Sequence, residues 1–222
     1  VSLAWAKEET TVILALTFDY GQKAARNEIS AACEISKHYN VPHEIIKLPW
    51  LAQITKTSLV SKDAPIPVFT EKDVSRIEIT QESMKSVWVP NRNAVFVNIA
   101  GSYAESLGAD IIVAGFNSEE AATFPDNSLQ FVAASNNLFR LSTISKPKVL
   151  SYVQTYNKRG IVNVAVKLKA PFHLIYSCYR GDEDKMCGRC ESCVRVMRAF
   201  KDTGNYELIK ERFPKDGNEV KT

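Results

Sequence analysis

Four of the five cysteines lie in one short stretch, at Cys178, Cys187, Cys190 and Cys193. The spacing is C-x8-C-x2-C-x2-C. Thiolates are soft ligands, and four of them meet the tetrahedral preference of Zn²⁺. A Cys-x-x-Cys turn lets two sulfurs reach one ion, and here two such turns overlap at Cys190. Gly188 eases the tight backbone. Arg180, Lys185 and Arg189 lie close in sequence and offset the charge of a tetrathiolate. Two other readings of the same residues stay open. An iron–sulfur cluster shares the C-x2-C-x2-C core, although the Cys-Pro that follows in ferredoxins is absent. Paired disulfides are the other, but a long charged chain with one further cysteine is unlike a small disulfide scaffold. With four protein ligands an ion has no open position, so one zinc per chain is expected to be structural, holding a C-terminal lobe in place.

A second set of polar residues is Val89-Pro90-Asn91-Arg92-Asn93, ahead of a helix expected over Ala94–Leu107. Free N–H groups at a helix start suit anions, and Arg92 adds a planar charge suited to phosphate or carboxylate. A capped helix with a solvated arginine explains the residues equally well. A third set is the loop from Phe116 to Asp126, which holds Glu119 and Glu120. It follows Gly115 at the end of an expected strand, where open α/β sheets bind ligands. No Ser-His-Asp set and no activated cysteine is evident.

The elements that would position these groups alternate in type. Thr11–Phe18 and Asp110–Ala114 are short apolar runs with β-branched residues, expected as buried parallel strands. His43–Leu48 is another, and Val149–Thr155 alternates like a strand. Helical spacing marks Lys23–His38, Ser128–Leu141, Lys158–Val166, Val194–Lys201 and Tyr206–Arg212. Cys33 falls on the apolar side of the first of these and is expected to be a core thiol. His38 and His43 flank a turn at Asn40-Val41-Pro42 and are expected at the surface. Leu51–Val87 has no clean period. It is expected to be a long excursion, serving as a lid or a dimer contact. The tail beyond Pro214 is charged and expected to fray. Alternating strands and helices imply an α/β fold with a doubly wound, mostly parallel sheet. The expected division is a core over 1–170 and a small zinc-binding lobe over 171–222.

At 222 residues the chain fits one domain with an appendage. A hydrophobic fraction of 45% with 24% charged residues excludes disordered and fibrous classes. A net charge of +3 is too mild to argue for nucleic acid. No apolar run is long enough to span a membrane. Clustered cysteines favour a reducing compartment, and a cytoplasmic location is expected. Val1–Glu9 reads as a helix already under way, with no cap before it.

In this order the segments resemble the 7-cyano-7-deazaguanine synthase family (QueC-type, also called ExsB), along nearly the whole chain. The marks are Thr17-Phe18-Asp19-Tyr20-Gly21-Gln22, Val89-Pro90 with Arg92-Asn93, Gly115 with Pro125-Asp126, and Ser177-Cys178-Tyr179. The ending Cys187-Gly188-x-Cys190-x-Ser192-Cys193 is the most specific. The resemblance implies a PP-loop ATP pyrophosphatase of the adenine-nucleotide alpha-hydrolase fold. It implies conversion of 7-carboxy-7-deazaguanine and ammonia to the nitrile preQ0, with ATP and Mg²⁺, for queuosine or archaeosine. The carboxylate is activated as an adenylate, an amide forms, and a second activation permits dehydration. Arg92 and Asn93 match the family's RN pair and are expected to be catalytic. Asp19, Tyr20, Gln22 and Gly115 are expected on the nucleotide side, and Glu120, Pro125 and Asp126 on the substrate side. The four cysteines match the family's zinc ligands.

The chain departs from the family pattern at Asn91, Glu120, Phe124, Asn127 and Gly160. The family's phosphate loop, SGG-x-DS, aligns immediately ahead of Val1. Small-molecule substrates, a homodimer, no membrane contact and no direct nucleic-acid binding are expected. Two competing functions are a related PP-loop enzyme that adenylates another substrate and a non-catalytic zinc-stapled tRNA binder. The second needs a basic stripe interleaved with aromatics, and Lys146, Lys148, Lys158, Arg159, Lys167 and Lys169 give only a diffuse one.

Overall fold

The computed structural model describes residues 1–214. The tail expected to fray lies outside the described residues. Among them the order is α1 (Ser2–Glu9), β1 (Ala15–Asp19), α2 (Ala25–His38), β2 (His43–Lys47), α3 (Pro49–Gln53), α4 (Ile77–Val87) and α5 (Arg92–Leu107). Then follow β3 (Ile111–Val113), α6 (Ser118–Ala121), α7 (Leu129–Ser142), β4 (Lys148–Leu150), α8 (Lys158–Lys167) and α9 (Glu191–Asp202). The fold is α/β, but the single doubly wound sheet is not formed by the described residues. Their strands make two separate pairs, β1 with β2 and β3 with β4. The β3–β4 pair is parallel, with Ile112 opposite Val149. No described helix is long and apolar enough to cross a membrane.

The chain packs as two compact units. One comprises Val1–Phe18, Val41–Glu44 and Pro90–Ala170. The other comprises Asp19–Asn40, Ile45–Val89 and the described residues from Pro171 onward. One change of unit falls between Ala170 and Pro171. However, the C-terminal segment does not stand as a lobe of its own. It shares a core with two segments from the first half of the chain.

In the first unit Val97, Phe116, Phe139 and Val149 form a buried cluster, with Ile112, Ala114, Phe131 and Val132 packed around it. Gly101 lets α5 and α7 approach closely, because a Cβ there would sit 2.5 Å from the Phe139 ring. Phe18 stacks on Phe96 at 4.1 Å. In the second unit Phe69, Val74 and Val194 cluster, with Ile79 against them. Phe172 meets Phe200 edge-on at 5.2 Å.

Several expected elements come out differently, for local reasons. Strand β4 stops at Leu150 because Ser151 turns aside and donates to the Phe116 carbonyl at 2.7 Å. The excursion at 51–87 contains α4, whose buried face carries Thr80, Ser83 and Val87. Two of those three are polar, which hid the helical period. The Tyr206–Arg212 helix is two short 3-10 turns, Tyr206–Leu208 and Lys210–Arg212. Cys33 is only half-buried, and α2 buries Asn27 and Ser36 instead. His38 is exposed as expected, whereas His43 is half-buried with Nε2 2.8 Å from Thr17 Oγ1.

Candidate metal centre and candidate active site

The metal centre lies in the second unit and is built by two tight turns and a helix start. All four sulfurs lie within 4.8 Å of one another, and none is in a disulfide. Cys178, Cys190 and Cys193 are almost wholly shielded from solvent. Backbone N–H groups point at the sulfurs. Arg180 and Cys187 donate to Cys178 Sγ at 3.4 and 3.5 Å, and Arg189 and Cys190 donate to Cys187 Sγ at 3.5 and 3.3 Å. Gly188 at φ +72° supplies the left-handed residue that the second turn requires. Cys190 caps α9, and Cys193 sits in its first turn.

Zinc–sulfur bonds of about 2.3 Å place tetrahedral sulfurs about 3.8 Å apart. Cys187 Sγ and Cys193 Sγ are already 4.0 Å apart. Hydrogen bonds from the Cys187, Cys190 and Cys193 thiols drive Cys178 far below the ordinary thiol range. The Cys178, Cys187 and Cys190 sulfurs push Cys193 up. Four thiolates cannot share this space without a cation, and a dication removes the conflict. The cluster therefore suits one metal ion, zinc included.

Beside it, the Glu191 carboxylate is buried, accepts from Ser83 Oγ at 2.8 Å and pairs with Arg195 at 2.9 Å. This contact ties α4 to the metal-bearing end of α9. Gly181, at φ +72°, lies so close to Lys23 that a Cβ would fall 2.2 Å from its carbonyl oxygen.

The candidate active site residues in the first unit gather around the start of α5. Asn91 precedes the helix at φ +56° and makes no side-chain cap. Asn93 Nδ2 donates to the Asp126 carbonyl at 3.4 Å. Burial pushes the Asp126 carboxyl up, while the nearby Arg92 guanidinium and a hydrogen bond from Asn127 pull it down, and Glu120 adds to the rise. Pro125 opens the 3-10 turn Pro125–Asn127 that presents Asp126. Glu120 is held by the buried Asn117, whose Oδ1 accepts its N–H at 3.1 Å, and by an ion pair with Lys158. The Lys158 N–H in turn donates to Glu119 Oε2 at 3.1 Å. Gln154 donates to the Asn127 carbonyl at 2.8 Å, and its own Oε1 is buried with no hydrogen-bond partner.

Arg92, Asn93, Glu120, Pro125 and Asp126 are thus brought to one neighbourhood. Gly115 is in the same unit, just past β3. A Cβ there would meet only Ser2 Oγ at 3.8 Å, so protein packing does not demand a glycine. Asp19, Tyr20 and Gln22 belong to the second unit. They form a turn whose side chains are already engaged. Asp19 Oδ1 accepts from Gly21 N–H at 3.1 Å, and Gln22 bridges the Tyr20 N–H and Glu28 at 2.9 and 2.8 Å. Sequence reasoning missed Asn117, Gln154 and the pairing of Lys158 with Glu120. Asn117 was findable as a helix cap with acidic residues following it. The other two depend on contacts between distant segments.

A family profile described as "Queuosine biosynthesis protein QueC" matches residues 1–204. A 7-cyano-7-deazaguanine synthase of Desulforamulus reducens is 49% identical over 204 residues, covering 92% of this chain and 89% of that protein. One from Pelotomaculum thermopropionicum is 50% identical over 204 residues, 92% of each chain. The archaeal one from Methanosarcina barkeri is 46% identical over 214 residues, covering 95% of this chain and 92% of its own length. With the four-cysteine centre and the Arg92–Asp126 cluster in place, the chain belongs to the QueC family.

Proposed function

We propose that this chain is an ATP-dependent carbon–nitrogen ligase that converts 7-carboxy-7-deazaguanine and ammonia to 7-cyano-7-deazaguanine for queuosine or archaeosine biosynthesis. What carries this reading is identity near 50%, over nine-tenths of the chain, to enzymes bearing that name. A carboxylate is a poor electrophile, and ATP with Mg²⁺ supplies the adenylyl leaving group. The protein then needs oriented donors more than a covalent nucleophile, which accords with the absence of a Ser-His-Asp set.

In this reading Arg92 contacts the phosphates or the substrate carboxylate, and Asn93 holds the Asp126 segment in register. Glu120, Pro125 and Asp126 face the deazapurine, and the unpaired Gln154 Oε1 is an acceptor for one of its N–H groups. Gly115 leaves room for nucleotide, and the Asp19–Gln22 turn frames the nucleotide side. The metal is a structural Zn²⁺, the fold is of the PP-loop type, and the enzyme works as a cytoplasmic homodimer.

The test is AMP release with ATP, 7-carboxy-7-deazaguanine and ammonia, with the nitrile identified by mass. Arg92→Ala should lower turnover by about a hundredfold or more, the scale of losing one transition-state donor. Arg92→Lys should not restore it, because lysine cannot make the planar two-oxygen contact. AMP release that needs a different acceptor, with no nitrile formed, overturns the proposal.

A further inference from the structure

In the first unit one side chain closes the outer edge of β4. A parallel ladder turns the backbone groups of alternate residues to opposite sides of the strand. Lys148 and Leu150 face β3: the Lys148 N–H donates to the Asp110 carbonyl at 2.8 Å, and the Leu150 carbonyl accepts from the Ala114 N–H at 2.9 Å. Val149, between them, turns its N–H and C=O the other way. Asn136 of α7 takes both. Its Oδ1 accepts from the Val149 N–H at 2.8 Å, and its Nδ2 donates to the Val149 carbonyl at 3.0 Å. Val149 is buried in the core cluster, so water does not serve these two groups. Among side chains, a carboxamide is what offers a donor and an acceptor side by side.

The same two segments meet a second time. Helix α7 follows directly on the Pro125–Asn127 turn, and its cap Ser128 donates to the Pro125 carbonyl at 2.7 Å. Beyond β4, Gln154 reaches back and donates to the Asn127 carbonyl at 2.8 Å. The path from Asn127 along α7 to Asn136, across to Val149, on to Gln154 and back to Asn127 is a closed frame. Asp126 stands at its corner, and the buried, unpaired Gln154 Oε1 lies on it. The helix is stiff, so the point where Asn136 grips β4 determines where Gln154 arrives. We infer that Asn136 is a positioning residue: by holding Val149 it sets the reach of Gln154 to Asn127, and with it the placement of Gln154 Oε1 and the Asp126 turn toward the deazapurine. The part toward substrate rests on the function proposed above; the frame does not.

Two variants test this. Asn136→Leu removes both bonds to Val149. Asn136→Asp keeps the shape and the acceptor but sets a carboxylate against the Val149 carbonyl, and it carries the test if Asn136→Leu does not fold. Hydrogen exchange comes first, because it needs no turnover. Exchange should quicken by about tenfold or more at Val149 and also at Gln154, with α9 unchanged. The Gln154 N–H is held by the Ser151 carbonyl at 3.3 Å and touches Asn136 nowhere. Faster exchange at Val149 alone overturns the inference, because Asn136 would then only close a strand edge. Kinetics come second. KM for 7-carboxy-7-deazaguanine should rise by about tenfold, the effect of losing one well-made hydrogen bond, while KM for ATP stays within about twofold. Gln154→Met should act alike, and adding Asn136→Asp to it should bring little further rise, since both act through one contact. Rises that multiply, or an equal rise for ATP, overturn the inference. A parent that forms no nitrile refutes the proposed function, and the exchange result still decides the frame.

Discussion

Replacing Gly181 with alanine tests how tightly the cysteine-bearing loop is seated. Gly181 has φ +72°, and a Cβ there would lie 2.2 Å from the Lys23 oxygen and 2.5 Å from Ala24 Cα. Both neighbours are backbone, so neither can swing away. A left-handed conformation costs an alanine about 1–2 kcal/mol. Forcing extra volume into a packed contact costs about 1–3 kcal/mol more. The sum centres on about 3.5 kcal/mol, which for a chain of this size lowers Tm by about 7–14 °C. Gly204 is the control. It has φ +70°, but a Cβ there would meet nothing within 4 Å. Gly204→Ala should therefore show only the conformational cost of about 1–2 kcal/mol. Thermal melts of both variants at saturating zinc give the comparison. Equal losses would falsify the close approach of the loop to the Lys23–Ala24 backbone.

Cys190→Ser should lower bound zinc from one per chain and destabilise by several kcal/mol, on the order of the contribution that structural zinc makes to folding; metal analysis and a melt check this. Glu191→Ala removes a buried partner of Arg195 and should cost about 3 kcal/mol, against about 1 kcal/mol for Ser83→Ala. Denaturant midpoints separate these two, and equal effects would show that the charge is not what matters. Burial raises the Asp126 pKa above its ordinary value, so folding favours the protonated form. The stability it contributes is present in acid and is lost as pH rises through that raised value. Asp126→Asn should thus melt higher than the parent at pH 7, with the gap closing in acid, while turnover falls. A gap that widens in acid would contradict this.

The metal centre was legible because its ligands are close in sequence and their chemistry is in their type. Four sulfurs within sixteen residues leave little to tertiary structure. The helices Lys23–His38 and Lys158–Val166 were legible for the same local reason. The helix at Ile77–Val87 was not, since it buries Thr80 and Ser83 against partners that the sequence does not reveal. One of these is Glu191, 108 positions away. The Arg92 region could be read as an anion site or as a plain helix start. The Asp126 carboxyl beside it, brought in by a distant turn, gives it a charged setting. The Asp19–Gln22 turn resisted reading in the opposite sense. Its polar side chains look available in the sequence, but the turn itself engages them.

The interleaved make-up of the second unit has a consequence for synthesis. Asn27 donates to the carbonyl of Glu183, 156 positions later. At 5–20 residues per second the ribosome needs roughly 8–31 s to travel between them. For that interval α2 has been made without the loop that covers it. The last of the four clustered cysteines, Cys193, arrives later still. The unit therefore cannot close piece by piece as it emerges, and a metal held by the four cysteines could act only once all of them had been made. Nascent chains released before Cys187 should be protease-sensitive throughout Asp19–Asn40, and those extending past Phe213 should not.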